Sequence, residues 1–154
     1  MKMKMMLGVL LSLVISSSAI AVEGFRESGS GREAGNGGDP VEQSFAISAT
    51  MAFEFLEEKK DLFPTLNLER VKATLDARLE ATDEILYGKN GGEKTAINIP
   101  EKRLIRINRK RWDAIKNVRK EMAQSLHEHL GLSGDEVNNY NVTSKLFRLS
   151  SEEI

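Results

Sequence analysis

Apolar residues recur at helical spacing between Asp39 and Pro64. Val41, Phe45, Ala49, Ala52 and Leu56 form one stripe, and Phe53 and Phe55 widen it. Asp39 suits the N-cap and Pro40 the first helical position. Glu42 stands at the third, where it can complete a capping box. Pro64 ends the run. A second helix is expected from Asn67, with Leu68, Val71, Leu75, Leu79, Thr82 and Leu86 as its buried stripe and Gly88 as its stop.

After the turn Asn90-Gly91-Gly92 the period changes from helical to alternating. Thr95–Ile99 and Arg103–Ile107 read as two short strands around Pro100-Glu101-Lys102. Ile97 and Ile99 point one way, as do Ile105 and Ile107 on the other strand, with Asn98 and Arg106 on the opposite face. A lone hairpin is barely stable, so its apolar face is expected to lie on the helices. Asn108 can cap a third helix with the stripe Trp112, Ile115, Arg119 (by its stem), Met122, Leu126 and Leu130, ending at Gly131. The tail is less regular, with one short helix expected around 144–149. The expected fold is a single mainly helical α+β domain over residues 39–154, three helices packed on one β-hairpin.

The amino-terminal segment has a different pattern. Lys2 and Lys4 precede an apolar run of 11 residues, Met5–Ile15, and Ala19-Ile20-Ala21 forms a small-x-small cleavage site. Residues 1–21 thus read as a secretory signal peptide. The run is shorter than the roughly 20 residues a membrane span needs. Residues 22–38 hold six glycines among seventeen positions and read as a flexible arm. No GxxxxGK[ST] is present, and Asp39 would repel a phosphate at the helix start.

Charge and cysteine content sharpen this outline. The chain has no cysteine, so it has no disulfide and no thiol for lipid attachment. The expected product is a soluble, exported domain in the periplasm or outside the cell, held by its core and without an integral membrane segment after cleavage. Charge is unevenly spread: residues 101–120 carry 9 bases and 2 acids, whereas residues 22–100 carry 9 bases and 15 acids.

Three groups of residues occur in a recognisable order. They are Asn36-Gly37-Gly38-Asp39; Ala96-Ile97-Asn98-Ile99-Pro100, Ile105-Arg106-Ile107-Asn108 and Trp112; and Leu126-His127-Glu128-His129-Leu130-Gly131-Leu132 with Tyr140 and Ser144. In combination they resemble a family of small exported proteins from predatory Gram-negative bacteria. The resemblance covers most of the chain after residue 21. It implies export and a shared fold, and it supplies no reaction. The sequence departs from that pattern at Ile99, where a tyrosine is usual, and at His129, where an aromatic residue is usual.

His127 and Glu128 are the most suggestive pair for chemistry, because a His-Glu pair on a helix after a hairpin is the layout of zinc peptidases. HExxH needs its second histidine one turn on, but the residue four after His127 is Gly131. His129 lies about 200° around a helix from His127. A divalent metal would therefore require His127 with Asp135 or Glu136, and a small metal-dependent hydrolase using His127 and Glu128 is the alternative reading of function. The favoured reading is non-enzymatic, without a cofactor, the histidines being hydrogen-bonded boundary residues. Tyr140 and Ser144 are expected to dock the tail on the third helix, with a hydrogen bond to His127.

The basic run is the second candidate. Arg103, Arg106, Arg109, Lys110 and Arg111 could bind an anion, and the partner would be an anionic envelope polymer or another protein. The alternative is internal pairing with the acids of the first two helices, as is common for charge runs on amphipathic elements. The expected function is that of an exported binding protein acting in the envelope or outside the cell.

Overall fold

A computed structural model describes residues 38–137 and 139–148. The expected signal peptide of residues 1–21, the expected arm of residues 22–38 apart from Gly38, and residues 138 and 149–154 lie outside the described residues. The chain has an α+β fold. Its elements are α1 (Pro40–Glu58), α2 (Leu68–Lys72), β1 (Arg78–Thr82), β2 (Leu86–Tyr87), β3 (Glu93–Lys94), β4 (Ala96–Ile99), β5 (Leu104–Asn108), α3 (Arg109–Asp113), α4 (Val118–Ser133) and α5 (Asn141–Phe147).

The first helix starts where its sequence says. Asp39 Oδ1 accepts the Val41 N–H at 2.9 Å and the Glu42 N–H at 3.4 Å. Glu42 does not close a capping box. Its Oε1 accepts the Ala81 N–H at 3.0 Å, and Arg109 donates to the Ala81 carbonyl at 3.2 Å, so side chains cover the outer edge of β1. Asn67, Asn108 and Asn117 cap α2, α3 and α4 through backbone N–H groups.

The expected second helix divides into a short helix, turns and a strand. α2 has 5 residues and ends in turns; Thr74 donates to the Val71 carbonyl at 2.6 Å. Residues 78–82 then pair in parallel with β5, giving a sheet ordered β1-β5-β4. Leu75 and Leu79 suit a helical stripe, but Leu79 and Ala81 suit strand alternation equally. Pairing with β5 decides the outcome. β2 and β3 form a separate antiparallel pair.

The β4–β5 hairpin forms, but its faces differ from the expected ones. Ile97 pairs with Arg106 and Asn98 with Ile105. Directly opposed residues share a face, so Ala96 and Asn98 lie on the side of Ile105 and Ile107, while Ile97 accompanies Arg106. A one-residue change of register reverses every side chain. The inward place of Asn98 is fixed by α4, as described below.

Two apolar clusters sit on either side of α1's midpoint. Val41 and Phe45 pack with Ala96, Ile105, Ile107 and Trp112. Ala52, Phe53 and Leu56 pack with Val71, Leu126, Leu130, Leu146 and Phe147. The expected third helix is two, because the chain breaks between Asp113 and Val118. α4 passes Gly131 and ends at Gly134, whose φ of 82° is the left-handed value favoured by glycine.

Candidate functional site

α4 brings His127, Glu128 and His129 into the interior, at 8%, 3% and 1% exposure. Successive helical residues point about 100° apart, so three in a row sweep roughly 200° of the circumference. Near its C-terminal end α4 is therefore enclosed on several sides, and each of the three side chains ties it to a different part of the fold.

His127 joins α4 to α5. Its Nδ1 lies 2.9 Å from Glu136 Oε2. Glu136 Oε1 also accepts the N–H groups of Val142 at 2.6 Å and Thr143 at 2.9 Å, and Oε2 accepts the Thr143 hydroxyl. The Glu136 carboxylate thus supplies the side-chain cap that Tyr140, the residue at the N-cap, does not. All the groups facing it are donors, so His127 Nδ1 is assigned its proton from this network. Tyr140 stacks on the His127 ring, with centroids 3.8 Å apart, in place of the expected hydrogen bond. Burial pushes the Tyr140 hydroxyl up to about 12. Ser144 returns its hydroxyl to the Tyr140 carbonyl.

Glu128 joins α4 to β4. Asn98 Nδ2 donates to Glu128 Oε2 at 2.7 Å and Gln124 Nε2 to Oε1 at 2.9 Å. Burial raises its pKa above the ordinary carboxylate value, against the opposing effects of His127 and the two amides. His129 joins α4 to the turn after α2 through Thr74, at 3.1 Å. The Thr74 proton is already given to Val71, so His129 Nδ1 is the donor and the ring is the Nδ1–H tautomer. Burial lowers the His129 pKa to about 4.

Of the three candidate metal ligands, two converge. His127 and Glu136 meet, but Asp135 turns away: Oδ1 pairs with Arg70 at 2.5 Å and Oδ2 accepts from Ser133 at 2.6 Å. Among the described residues no group of three or more His, Cys, Asp or Glu side chains is placed to hold a metal ion. Two surface grooves, one between α1, α4 and α5 and one beside the β2–β3 pair, are lined by none of His127, Glu128, Glu136 or Tyr140.

Four of the five basic candidates are paired with acids. Arg103 pairs with Asp76, Arg106 with Glu80 and Glu84, Arg109 with Asp39 and Asp83, and Arg111 with Glu93. The Arg109 hydrogen bond holds the Asp39 carboxyl below its usual pKa. Lys110 is exposed and lines the groove beside the β2–β3 pair. Sequence reasoning missed Asn98, Thr74 and Gln124 as partners of the buried ionisable residues. Asn98 carried one available signal, a polar residue inside an apolar alternation. Thr74 and Gln124 carried none.

The fold and site define a small α+β protein whose central helix is braced by buried polar contacts. Comparison with protein-family models, with curated proteins and with solved structures finds no match. Among the described residues no helix is long and apolar enough to cross a membrane.

Proposed function

We propose that this chain is an exported, non-enzymatic binding protein of the envelope or the extracellular space. One observation carries the non-enzymatic part. His127 and Glu128, the residues best suited to chemistry, are buried, with His127 Nδ1 engaged by Glu136 and both Glu128 carboxylate oxygens engaged by Asn98 and Gln124 inside the fold. A general acid or base must reach its substrate within hydrogen-bond distance, and neither groove opens on this pair. The signal-like amino terminus and the resemblance to small exported proteins support export.

Fractionation of the native cell, with amino-terminal sequencing of the product, tests the location. The expected product begins at Val22 and lies outside the cytoplasm; a cytoplasmic product retaining Met1–Ala21 overturns export. Metal analysis of the purified protein tests the other part. Stoichiometric metal in the wild type that is lost in His127→Ala would restore the hydrolase reading.

A further inference from the structure

We propose that Asn90 is a site of spontaneous covalent modification, where the Gly91 backbone nitrogen displaces ammonia from the asparagine amide and the chain is left with aspartate or isoaspartate. This goes beyond the binding reading and does not rest on it.

The turn between β2 and β3 holds the reacting atoms loosely. Gly91 N–H donates to the Gly88 carbonyl at 2.9 Å, and Gly88 N–H donates to the Gly92 carbonyl at 2.8 Å. Gly91 takes a φ of 76°. A three-residue loop ending in a left-handed glycine is a common hairpin connection. Residues 89–94 are exposed, and a Cβ on Gly91 or Gly92 would meet no atom within 4 Å. β2 and β3 have only 2 residues each. Little packing therefore resists the opening of this turn.

Asn90 differs from the other described asparagines. Asn67, Asn108 and Asn117 hold their side-chain oxygens on backbone N–H groups, and Asn98 donates to Glu128. Each of these precedes a residue with a large side chain, whereas Asn90 precedes glycine. The attacking nitrogen must reach Asn90 Cγ, and the absence of a side chain on Gly91 leaves that approach open.

The Gly91 amide nitrogen loses its proton to solvent base and bonds to Asn90 Cγ. The Cγ–Nδ2 bond breaks, and Nδ2 leaves as ammonia with a proton from water. The product is a five-membered succinimide. Water then adds to one of its two carbonyls. Opening at the side-chain carbonyl gives aspartate. Opening at the main-chain carbonyl gives isoaspartate, in which the chain runs through the former side chain. That product lengthens the backbone by one carbon inside a loop closed between Gly88 and Gly92, and so loosens β2 from β3. Tyr87 there opposes Glu93, the partner of Arg111.

Peptide mapping by mass spectrometry on the purified chain tests the proposal, after incubation at pH 8 and pH 6, folded and in urea. Digestion at acid pH keeps handling from creating the product. Asn90 is expected to gain the mass of an amide turned acid several-fold faster than Asn67, Asn98, Asn108 or Asn117. The reaction is expected to run faster at pH 8, because the attacking nitrogen must lose its proton. The folded chain is expected to react within about tenfold of the unfolded one, the factor that breaking one exposed hydrogen bond imposes. Gly91→Ala is expected to slow the reaction several-fold in urea as well, so this comparison stands even if the variant loses the turn. Hydrogen exchange on the isoaspartate form is expected to show lost protection at the Gly88 amide with α4 unchanged. An unmodified Asn90 at pH 8, a rate no greater than that of the capping asparagines, protection by the fold beyond tenfold, or a Gly91→Ala chain reacting at the wild-type rate overturns the proposal. A Gly88 amide that stays protected in the isoaspartate form overturns the loosening.

Discussion

Asn98 Nδ2 donates to Glu128 Oε2 at 2.7 Å, and the same amide occupies the space that a side chain on Gly131 would need. One residue of β4 thereby specifies two positions of α4, a buried acid and, three residues later, a glycine. The contact also explains the hairpin register, because Asn98 reaches α4 only when Ile97 and Ile99 turn to the other face.

Gly131→Ala should therefore destabilise the protein. The new Cβ would overlap the Asn98 amide nitrogen and lie 2.7 Å from its Cγ and 2.9 Å from its Oδ1. In an open helix the same change stabilises by about 1 kcal/mol. Here overpacking and a strained hydrogen bond outweigh that gain, for a net loss of about 1–3 kcal/mol in denaturant unfolding. Adding Asn98→Ala opens the space, and the double variant should be less destabilised than the sum of the two singles. A Gly131→Ala protein more stable than the wild type would remove the argument.

The features legible in the sequence are the local ones. Asp39 and Asn108 cap the residues immediately after them, so three or four positions suffice to see them. Leu79 reads as part of a helical stripe, yet its neighbours fit a strand equally, and the partner that decides it, Ile105, lies in another part of the chain. Asn98 was assigned to the wrong face because polarity suggested solvent, while its partner Glu128 is distant in sequence. Gly131 reads as a helix stop because glycine commonly serves that purpose, whereas its role depends on Asn98 across the fold. His127 and Glu128 stood out as a pair, but their partners were visible only in three dimensions.

Glu136 supports α5 from outside that helix. Glu136→Gln removes the charge that these donors share and places an amide NH₂ at one oxygen position, so that the Thr143 hydroxyl and the His127 ring must exchange their donor roles for acceptor ones. The expected loss is about 2–4 kcal/mol, the range for disrupting a buried, charge-assisted network. Hydrogen exchange should localise it: the Val142 and Thr143 amides, which donate to Glu136, lose protection first. Uniform loss across α1 and α5 would argue against a local cap.

The basic run should bind anionic surfaces poorly until its acids are removed. Arg106 Nε donates to Glu80 at 2.9 Å and its terminal nitrogen to Glu84 at 3.0 Å. The hydrogen bonds from Arg78 and then Arg106 hold Glu80 below its ordinary pKa, so this pairing persists at neutral pH. The wild type is expected to leave heparin resin below about 0.15 M salt, where surface charges are screened within about 8 Å. Glu80→Gln with Glu84→Gln frees Arg106, and elution should move to higher salt. Unchanged elution would mean that the acids do not mask it.

His129 should make the protein acid-sensitive. Burial lowers its folded pKa to about 4, below the ordinary 6.5. Between those values the unfolded chain binds a proton that the folded chain refuses. Its contribution is complete above 6.5 and is lost as the pH falls towards 4. The full effect is on the order of 3 kcal/mol. His129→Phe keeps an aromatic ring and removes the titration, so its unfolding midpoint should depend less on pH across this window. An unchanged slope would place the acid sensitivity elsewhere.

Glu128, one residue earlier, acts in the opposite direction. Burial raises its folded pKa above the reference 4.5, so above that value the folded chain holds a proton more tightly than the unfolded chain. Its contribution is present below 4.5 and is lost as the pH rises through the folded value. Glu128→Gln removes the buried charge and keeps an acceptor for Asn98, while Gln124 can turn its amide to present oxygen to the new NH₂. The variant is expected to match or exceed wild-type stability at pH 8, by up to about 1 kcal/mol, with the slope above 4.5 reduced. Glu128→Leu removes the charge and the acceptor together. It leaves the Asn98 and Gln124 donors unpaired and should be about 1–3 kcal/mol less stable than Glu128→Gln at every pH. The contrast between the two variants separates the cost of the charge from the worth of the tie. Equal destabilisation by both would show that the carboxylate, rather than its shape and its acceptor, holds β4 against α4.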